Sequence, residues 1–283
     1  MLLRIGALAV IAVITISRFD NQTIDSTSYE VVSSRIPPAF DGFRIVQISD
    51  LHNRRFGPNQ ERLLQLVRKA NPDLVAITGD LTYHGKMDLG CFHDLIYGLV
   101  AIAPVYFVTG NHDIISSDLP GMRKSLEDLG VQILAGRSVV VKRGNESVAI
   151  AGIDDPDIFY EKGKSQPQAI DRWKVALAGL RVRIQPGLYS LLLSHRPERL
   201  GSYADFGFDL VLAGHAHGGQ VRLPLLGAIY APDQGFFPRY TSGRYSMGRT
   251  QMIVSRGLGN SHFPIRILNN PELVIVRLTR RTD

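Results

Sequence analysis

The chain has one cysteine, Cys91, in 283 residues. No intramolecular disulfide can form and no thiolate metal site can be built, so a bound metal must rest on histidine nitrogen and on carboxylate or amide oxygen. Long hydrophobic runs are equally scarce. The one that stands out is Leu2–Ile16, interrupted by Arg4 and closed by Arg18 and Asp20. Its unbroken part, Ile5–Ile16, falls short of the roughly 20 residues that span a bilayer and matches the apolar core of a secretory signal. No clean small-x-small cleavage site follows. Residues 1–20 are therefore expected to be a signal anchor or a signal peptide. Arg4 before the run and Asp20 and Asp25 after it place the body on the extracytoplasmic face of the cell membrane. Internal repeats, low-complexity tracts and basic runs interleaved with aromatics are all missing, which argues against a dedicated nucleic-acid module and a specific nucleic-acid partner.

What is present is ordinary for a globular chain: 45% hydrophobic and 20% charged residues. The formal net charge of +6 favours anionic partners, either a phosphorylated small-molecule or lipid substrate or an anionic membrane surface. The sequence does not fix an oligomeric state. Residues 21–39 read as a linker, polar at first and punctuated by Pro37-Pro38, and residues 40–283 as the domain. In its first half, apolar runs at Phe43–Ser49, Leu74–Thr78 and Val105–Thr109 alternate with helical spacing at Gln60–Ala70, Leu89–Val100 and Leu119–Leu129, a βαβ pattern with parallel strands. The second half is richer in strands. It has a hairpin around Arg143-Gly144-Asn145, a helix over Gln168–Ala178, buried strands at Tyr189–Ser194 and Leu210–Ala213, and later strands at Gln251–Ser255 and Leu273–Leu278.

Five of these apolar runs end in metal-ligating residue types. They read IVQISDLH (Ile45–His52), LVAITGD (Leu74–Asp80), VYFVTGNHD (Val105–Asp113), LLLSH (Leu191–His195) and DLVLAGHAH (Asp209–His217). Ligand sites in open α/β sheets collect beyond the carboxyl ends of strands, where all of these residues fall. Asp50 and His52 are two apart, so on extended chain both point to one side; His215 and His217 repeat the spacing. Gly79, Gly110 and Gly214 each precede a ligand candidate and permit tight turns and close backbone approach. Two neighbouring cations need one shared carboxylate, and Asp80 suits that place.

The strings DLH (50–52), GD (79–80), GNHD (110–113), SH (194–195) and GHAH (214–217) resemble the calcineurin-like metallophosphoesterases over about residues 40–280. The resemblance implies an α/β fold, a four-layer αββα sandwich of two facing mixed β-sheets flanked by helices. It implies that Asp50, His52, Asp80 and His217 hold one metal, and that Asp80, Asn111, His195 and His215 hold a second. His112 would be the catalytic acid and Asp113 would orient it. Two cations lower the pKa of a bridging water, and the resulting hydroxide attacks phosphorus in line. A His-rich donor set favours Mn²⁺, Fe²⁺ or Zn²⁺ over Mg²⁺ or Ca²⁺, with manganese the first choice.

The longer strings SDLHNRRFG (49–57), HAHGGQVRLP (215–224) and SRGLGNSHFPIR (255–266) are similar to a bacterial membrane-associated phosphodiesterase branch, some of whose members cleave the pyrophosphate of UDP-diacylglucosamine. The expected function is thus a binuclear phosphodiesterase or pyrophosphatase acting on a lipid-linked or nucleotide-lipid substrate. A nuclease or general phosphatase of the same family is the alternative. A non-catalytic scaffold is disfavoured because no ligand is missing. The Arg-Gly after G-D and the Glu after G-N-H that mark protein Ser/Thr phosphatases are absent. Arg54, Arg55, Arg222 and Arg266 are candidate phosphate contacts against a background of solvated charge. His84 and His262 lie close to motif positions and read as surface or supporting residues. Leu225–Tyr245 mixes apolar residues with Arg239 and Arg244, and loop packing is preferred there over a lipid interface.

Overall fold

The computed structural model describes residues 23–161, 165–260 and 265–282. The expected signal segment 1–20, and His262, lie outside the described residues. Along the chain the strands of the first half are β1 (Asp25–Ser33), β2 (Arg44–Ile48), β3 (Leu74–Thr78), β4 (Val105–Val108), β5 (Gln132–Ile133), β6 (Arg137–Arg143) and β7 (Glu146–Gly152). Then come β8 (Tyr189–Leu193), β9 (Leu210–Ala213) and four two-residue strands, β10 (Arg222–Leu223), β11 (Gly227–Ala228), β12 (Tyr230–Ala231) and β13 (Gly235–Phe236). The series closes with β14 (Gly243–Met247), β15 (Thr250–Val254) and β16 (Glu272–Arg280). The helices are α1 (Glu61–Ala70), α2 (Leu89–Val100), the single turn α3 (Asn111–Ile114), α4 (Leu119–Asp128), α5 (Gln166–Val182) and α6 (Leu200–Asp205). Among the described residues, no helix is long and apolar enough to cross a membrane.

Two six-stranded mixed sheets form, ordered β1-β16-β2-β3-β4-β5 and β14-β15-β9-β8-β7-β6. The continuous apolar runs are explained by burial on both faces of each strand. In β3, Leu74 and Ala76 face the core between the sheets while Val75 and Ile77 face the helices α1 and α2. In β9, Leu210 and Leu212 join the same inter-sheet core, and Val211 and Ala213 pack on the α5 and α6 side. Three layers of apolar core thus separate four layers of structure, which is the expected αββα sandwich. Trp173, fully buried on α5, packs in the outer core and donates from Nε1 to the Asp154 carbonyl at 3.0 Å.

One expectation is corrected. The linker assigned to residues 21–39 is, over Asp25–Ser33, an edge strand paired in parallel with β16. Its inward positions are Thr27, Tyr29 and Val31, with Ser26, Ser28 and Glu30 exposed. The period-two alternation is real but only Val31 of the inward set is aliphatic, so the hydrophobic signal is weak.

Candidate metal centre

The ligand candidates sit at a constant offset from their strands. Asp50, Asp80, His195 and His215 each lie two residues past the end of β2, β3, β8 and β9, and Asn111 opens α3 just beyond β4. Because β2, β3 and β4 are parallel in one sheet and β8 and β9 in the other, all reach the same edge of the sandwich. The turns that deliver them are unusual. Asp50, His52, Asp80, His215 and His217 all have positive φ, between 48° and 64°. This left-handed backbone is uncommon for side chains of this kind and concentrates at functional sites. Asp50 and His52 therefore converge, but not through the extended chain that their spacing suggested. Gly110 and Gly214 supply room. A Cβ at Gly110 would lie 2.1 Å from Asp80 Oδ1, and one at Gly214 1.9 Å from Ser49 Oγ.

Three groups of side chains bring ligand atoms within 4.8 Å of one another: Asp50, His52 and His217; His52, Asp80 and His112; and Asp80, His195 and His215. Asp80 stands between the first and last, with Oδ2 3.6 Å from His52 Nε2 and 3.3 Å from His195 Nε2. Asp50 Oδ1 lies 3.5 Å from His217 Nε2 and 3.9 Å from His195 Nε2. Backbone hydrogen bonds hold both carboxylates: the His112 N–H donates to Asp80 Oδ1 at 2.8 Å, and the His215 N–H to Asp50 Oδ1 at 3.0 Å.

The imidazoles are turned by their outer nitrogens. His52 Nδ1 donates to the Thr82 carbonyl at 3.0 Å and His195 Nδ1 to the Thr78 carbonyl at 2.7 Å, leaving each Nε2 aimed inward. His215 Nε2 is engaged by Asp233 Oδ2 at 2.8 Å, so Nδ1 is its nitrogen left for a cation. Asn111 Oδ1 is buried with no hydrogen-bond partner among the described residues. A buried amide oxygen without a donor is costly unless something positive meets it. Inward imidazole nitrogens, two buried carboxylates and an unpartnered amide oxygen fit divalent cations of the Mn²⁺, Fe²⁺ or Zn²⁺ kind.

Electrostatics point the same way. Burial pushes His52 down to about 4 and, with His52 beside it, holds His217 well below the usual histidine range. Burial would also lower His195, yet Asp80 and Asp50 against it carry it up to about 10. Burial works to raise Asp80, but His195, His52 and His112 around it keep it well below the ordinary carboxylate value. Burial raises Asp50. The cluster calls for positive charge between Asp80, Asp50 and His195.

His112 lies at the rim, its ring T-shaped against His52 at 4.7 Å between centroids, and its Nδ1 accepts the His84 N–H at 3.1 Å. Asp113, expected to orient His112, is held among backbone donors. Its carboxylate accepts the N–H groups of Asp80, Thr82 and Gly110 and the Thr82 hydroxyl, so it fastens two ligand-candidate loops together. Burial and the neighbouring Asp80 push Asp113 up to about 7.

The arginines fall elsewhere than expected. Arg55 pairs with Asp88, Arg222 Nη1 donates to the Gly218 carbonyl, and the fully buried Arg266 is tied to the Asn269 and Arg256 carbonyls. None of the candidate arginines lines the cavity above the metal groups. The sequence reading passed over Arg196, which is buried and paired with Asp155, Asp157 and Asp233, with Nη1 3.1 Å from His215 Nε2. A signal for this network was available. Val148–Asp155 (VAIAGIDD) has the same apolar-run-then-acid form as the ligand motifs and ends beyond β7.

Fold and side chains together define a metal-binding hydrolase site at the shared edge of a two-sheet sandwich. Residues 43–219 match the family model described as calcineurin-like phosphoesterase, and the chain belongs to that family. It is a metallophosphoesterase, a hydrolase of phosphoester bonds. The chain is 30% identical to an uncharacterized metallophosphoesterase, YkuE, of Bacillus subtilis (strain 168), over 90% of this chain and 85% of that one. It is 27% identical to the phosphodiesterase YaeI of Escherichia coli (strain K12), over 83% and 82% of the two chains. TT1561 of Thermus thermophilus shares the fold, with a TM-score of 0.50 at 13% identity over 77% of this chain and 90% of that one.

Proposed function

We propose that this protein is a binuclear metal-dependent phosphodiesterase or pyrophosphatase whose substrate is a lipid-linked or nucleotide-lipid phosphate ester, worked on at a membrane surface. The observation that carries the reading is the pairing of Asp80, set between two His-Asp groups, with a cavity of about 800 Å³ above it. The floor of that cavity is Asp80, Asn111, His112, His215 and His217, and its upper walls include Val221, Ile229, Pro232, Ile265 and Ile267. A phosphate at the floor would thus have an apolar chamber for the rest of the molecule, as a lipidic substrate requires.

In this reading Asp50, His52, Asp80 and His217 hold one ion and Asp80, Asn111, His195 and His215 the other, with manganese the favoured metal. When bound, two such ions supply Lewis acidity toward phosphoryl oxygens and acidify water. The chain does the rest. Because His112 Nδ1 accepts the His84 N–H, the ring proton resides on Nε2, and that proton would pass to the departing ester oxygen. Asp113 keeps the loops of Asp80 and His112 in register, and the apolar walls exclude water from the cleft. A nuclease is the second reading, favoured by the net charge of +6; steep salt dependence of DNA binding would support it.

The test is turnover of bis-p-nitrophenyl phosphate, phospholipids, nucleotide-sugar lipids and DNA by metal-loaded protein. Long-chain lipid esters are expected to give the highest kcat/KM. Equal kcat/KM for acylated and unacylated esters would overturn the substrate class, and no hydrolysis of any ester would overturn the enzyme reading.

A further inference from the structure

The segment after His217 folds into two small hairpins, β10–β11 and β12–β13, joined at Ile229, whose N–H donates to the Val221 carbonyl and whose carbonyl accepts the Phe237 N–H. Their outer surface is apolar. Leu225, at the first turn, is fully exposed in a left-handed conformation (φ 68°). Leu223, Leu226, Tyr230, Phe236 and Phe237 are exposed beside it, and the Tyr230 and Phe236 rings meet edge-on at 5.5 Å. Scattered exposed hydrophobics are ordinary, but a contiguous group of large ones marks an interaction surface. The loop packing expected of Leu225–Tyr245 holds for Ala231, Tyr240 and Tyr245, which pack in the outer core, while the six large side chains named above are exposed.

Two further observations identify the occupant. The hairpins are a wall of the active-site cavity: Val221, Ile229, Tyr230 and Pro232 line it, and Asp233 ties the second hairpin to His215 and Arg196. The apolar patch therefore borders the mouth. Separately, β1 is parallel to β16 and β16 antiparallel to β2, so Asp25 lies level with the end of β2, where the ligands begin. Arg256 fastens that corner, bonding Asp25 at 3.0 Å and Glu272 at 3.3 Å. Residues 1–22, with the apolar run Leu2–Ile16, thus join the domain on the same edge as the mouth. Arg239 and Arg244 follow the hairpins in sequence and are exposed, Arg239 over the Tyr240 ring and Arg244 donating to the Glu30 carbonyl.

We infer that the β10–β13 hairpins are an interfacial docking surface for an anionic lipid bilayer, holding the mouth of the metal site against the membrane. Leu225, Phe236 and Phe237 would enter the acyl boundary, the arginines would meet the headgroups, and the N-terminal segment would hold the same edge down. This extends the reading of a lipid-linked substrate, and its test is independent of turnover.

Cys91 is buried, so a cysteine introduced at the surface can be labelled selectively. Full-length Leu225→Cys, Phe236→Cys and, as control, Val182→Cys on the exposed end of α5 would each carry a polarity-sensitive fluorophore. The proteins are mixed with phosphatidylcholine–phosphatidylglycerol vesicles containing doxyl-labelled lipid. Quenching severalfold stronger at 225 and 236 than at 182, and weaker without phosphatidylglycerol, is expected. Equal quenching at all three positions would overturn the proposal. So would concentration-dependent protection of position 225 without vesicles, which would assign the patch to a second copy of the chain. Hydrolysis confined to soluble esters, with the quenching pattern intact, would count against the substrate reading and leave the docking surface standing.

Discussion

His52 Nε2 and His217 Nε2 face each other at 3.2 Å, their rings stacked with centroids 5.0 Å apart. The His52 proton is spent on the Thr82 carbonyl, so its inward nitrogen offers a lone pair. Burial keeps both rings in the neutral form. Neutral imidazoles aimed nitrogen to nitrogen form a receptor for a cation, and the expected effects of metal and of ligand loss rest on that arrangement.

Metal should stabilise the fold. Added Mn²⁺ at about 100 times its Kd contributes about 2.7 kcal/mol, which for a chain of this size raises Tm by roughly 5 °C. Differential scanning calorimetry with and without EDTA measures this. An identical Tm in both would mean that the ligands do not hold an ion.

Asp80→Ala should remove the shared carboxylate and, with it, both metal content and hydrolysis of bis-p-nitrophenyl phosphate, the latter by at least about 10²-fold. Asp80→Asn, similar in volume, keeps the comparison fair if the alanine variant is unstable. Circular dichroism confirms folding and elemental analysis counts the metal. A folded variant with full turnover would remove Asp80 from the site.

His112→Asn should leave metal content and KM in place while kcat falls by about 10²–10⁴-fold on an ester with a basic leaving group. With p-nitrophenolate leaving, which needs less protonation, the loss should be smaller. An equal loss on both esters would show that His112 does something other than donate a proton.

Cys91 offers a pH test away from the site. Burial pushes its thiol up to about 11, while Gln60 donates to the sulfur. The unfolded chain ionises this thiol near 8.5 and the folded chain holds its proton until about 11, so stability should fall as pH rises between those values. Cys91→Ala should flatten that part of the stability–pH curve, read by urea unfolding at a series of pH values. An unchanged slope would show that the thiol titrates alike in both states.

Much of the site could be read from sequence because its chemistry forces a pattern. A ligand must follow a buried strand, and Asp50, Asp80, His195 and His215 do so at one offset. The layers were legible for a similar reason: strands such as Leu74–Thr78, buried on both faces, are apolar throughout. What stayed hidden depends on backbone angles or on distant partners. The spacing of Asp50 and His52 suggested extended chain, whereas both are left-handed. Arg266, a candidate phosphate contact or solvated charge by its sequence, is instead buried against the Asn269 and Arg256 carbonyls. Asp155 ends an apolar run of the same form as the ligand motifs, but Arg196 and Asp233 are far from it in sequence, and no local pattern pairs the three.

The ligands are divided between the sheets: Asp50, His52, Asp80 and Asn111 hang from one, and His195, His215 and His217 from the other. Two of the three groups, Asp50 with His52 and His217 and Asp80 with His195 and His215, draw on both sheets, while His52, Asp80 and His112 come from one. A pair of ions would therefore find all its ligands only where the two sheets are packed face to face. Hydrolysis that needs both ions would then report that the two sheets have been joined.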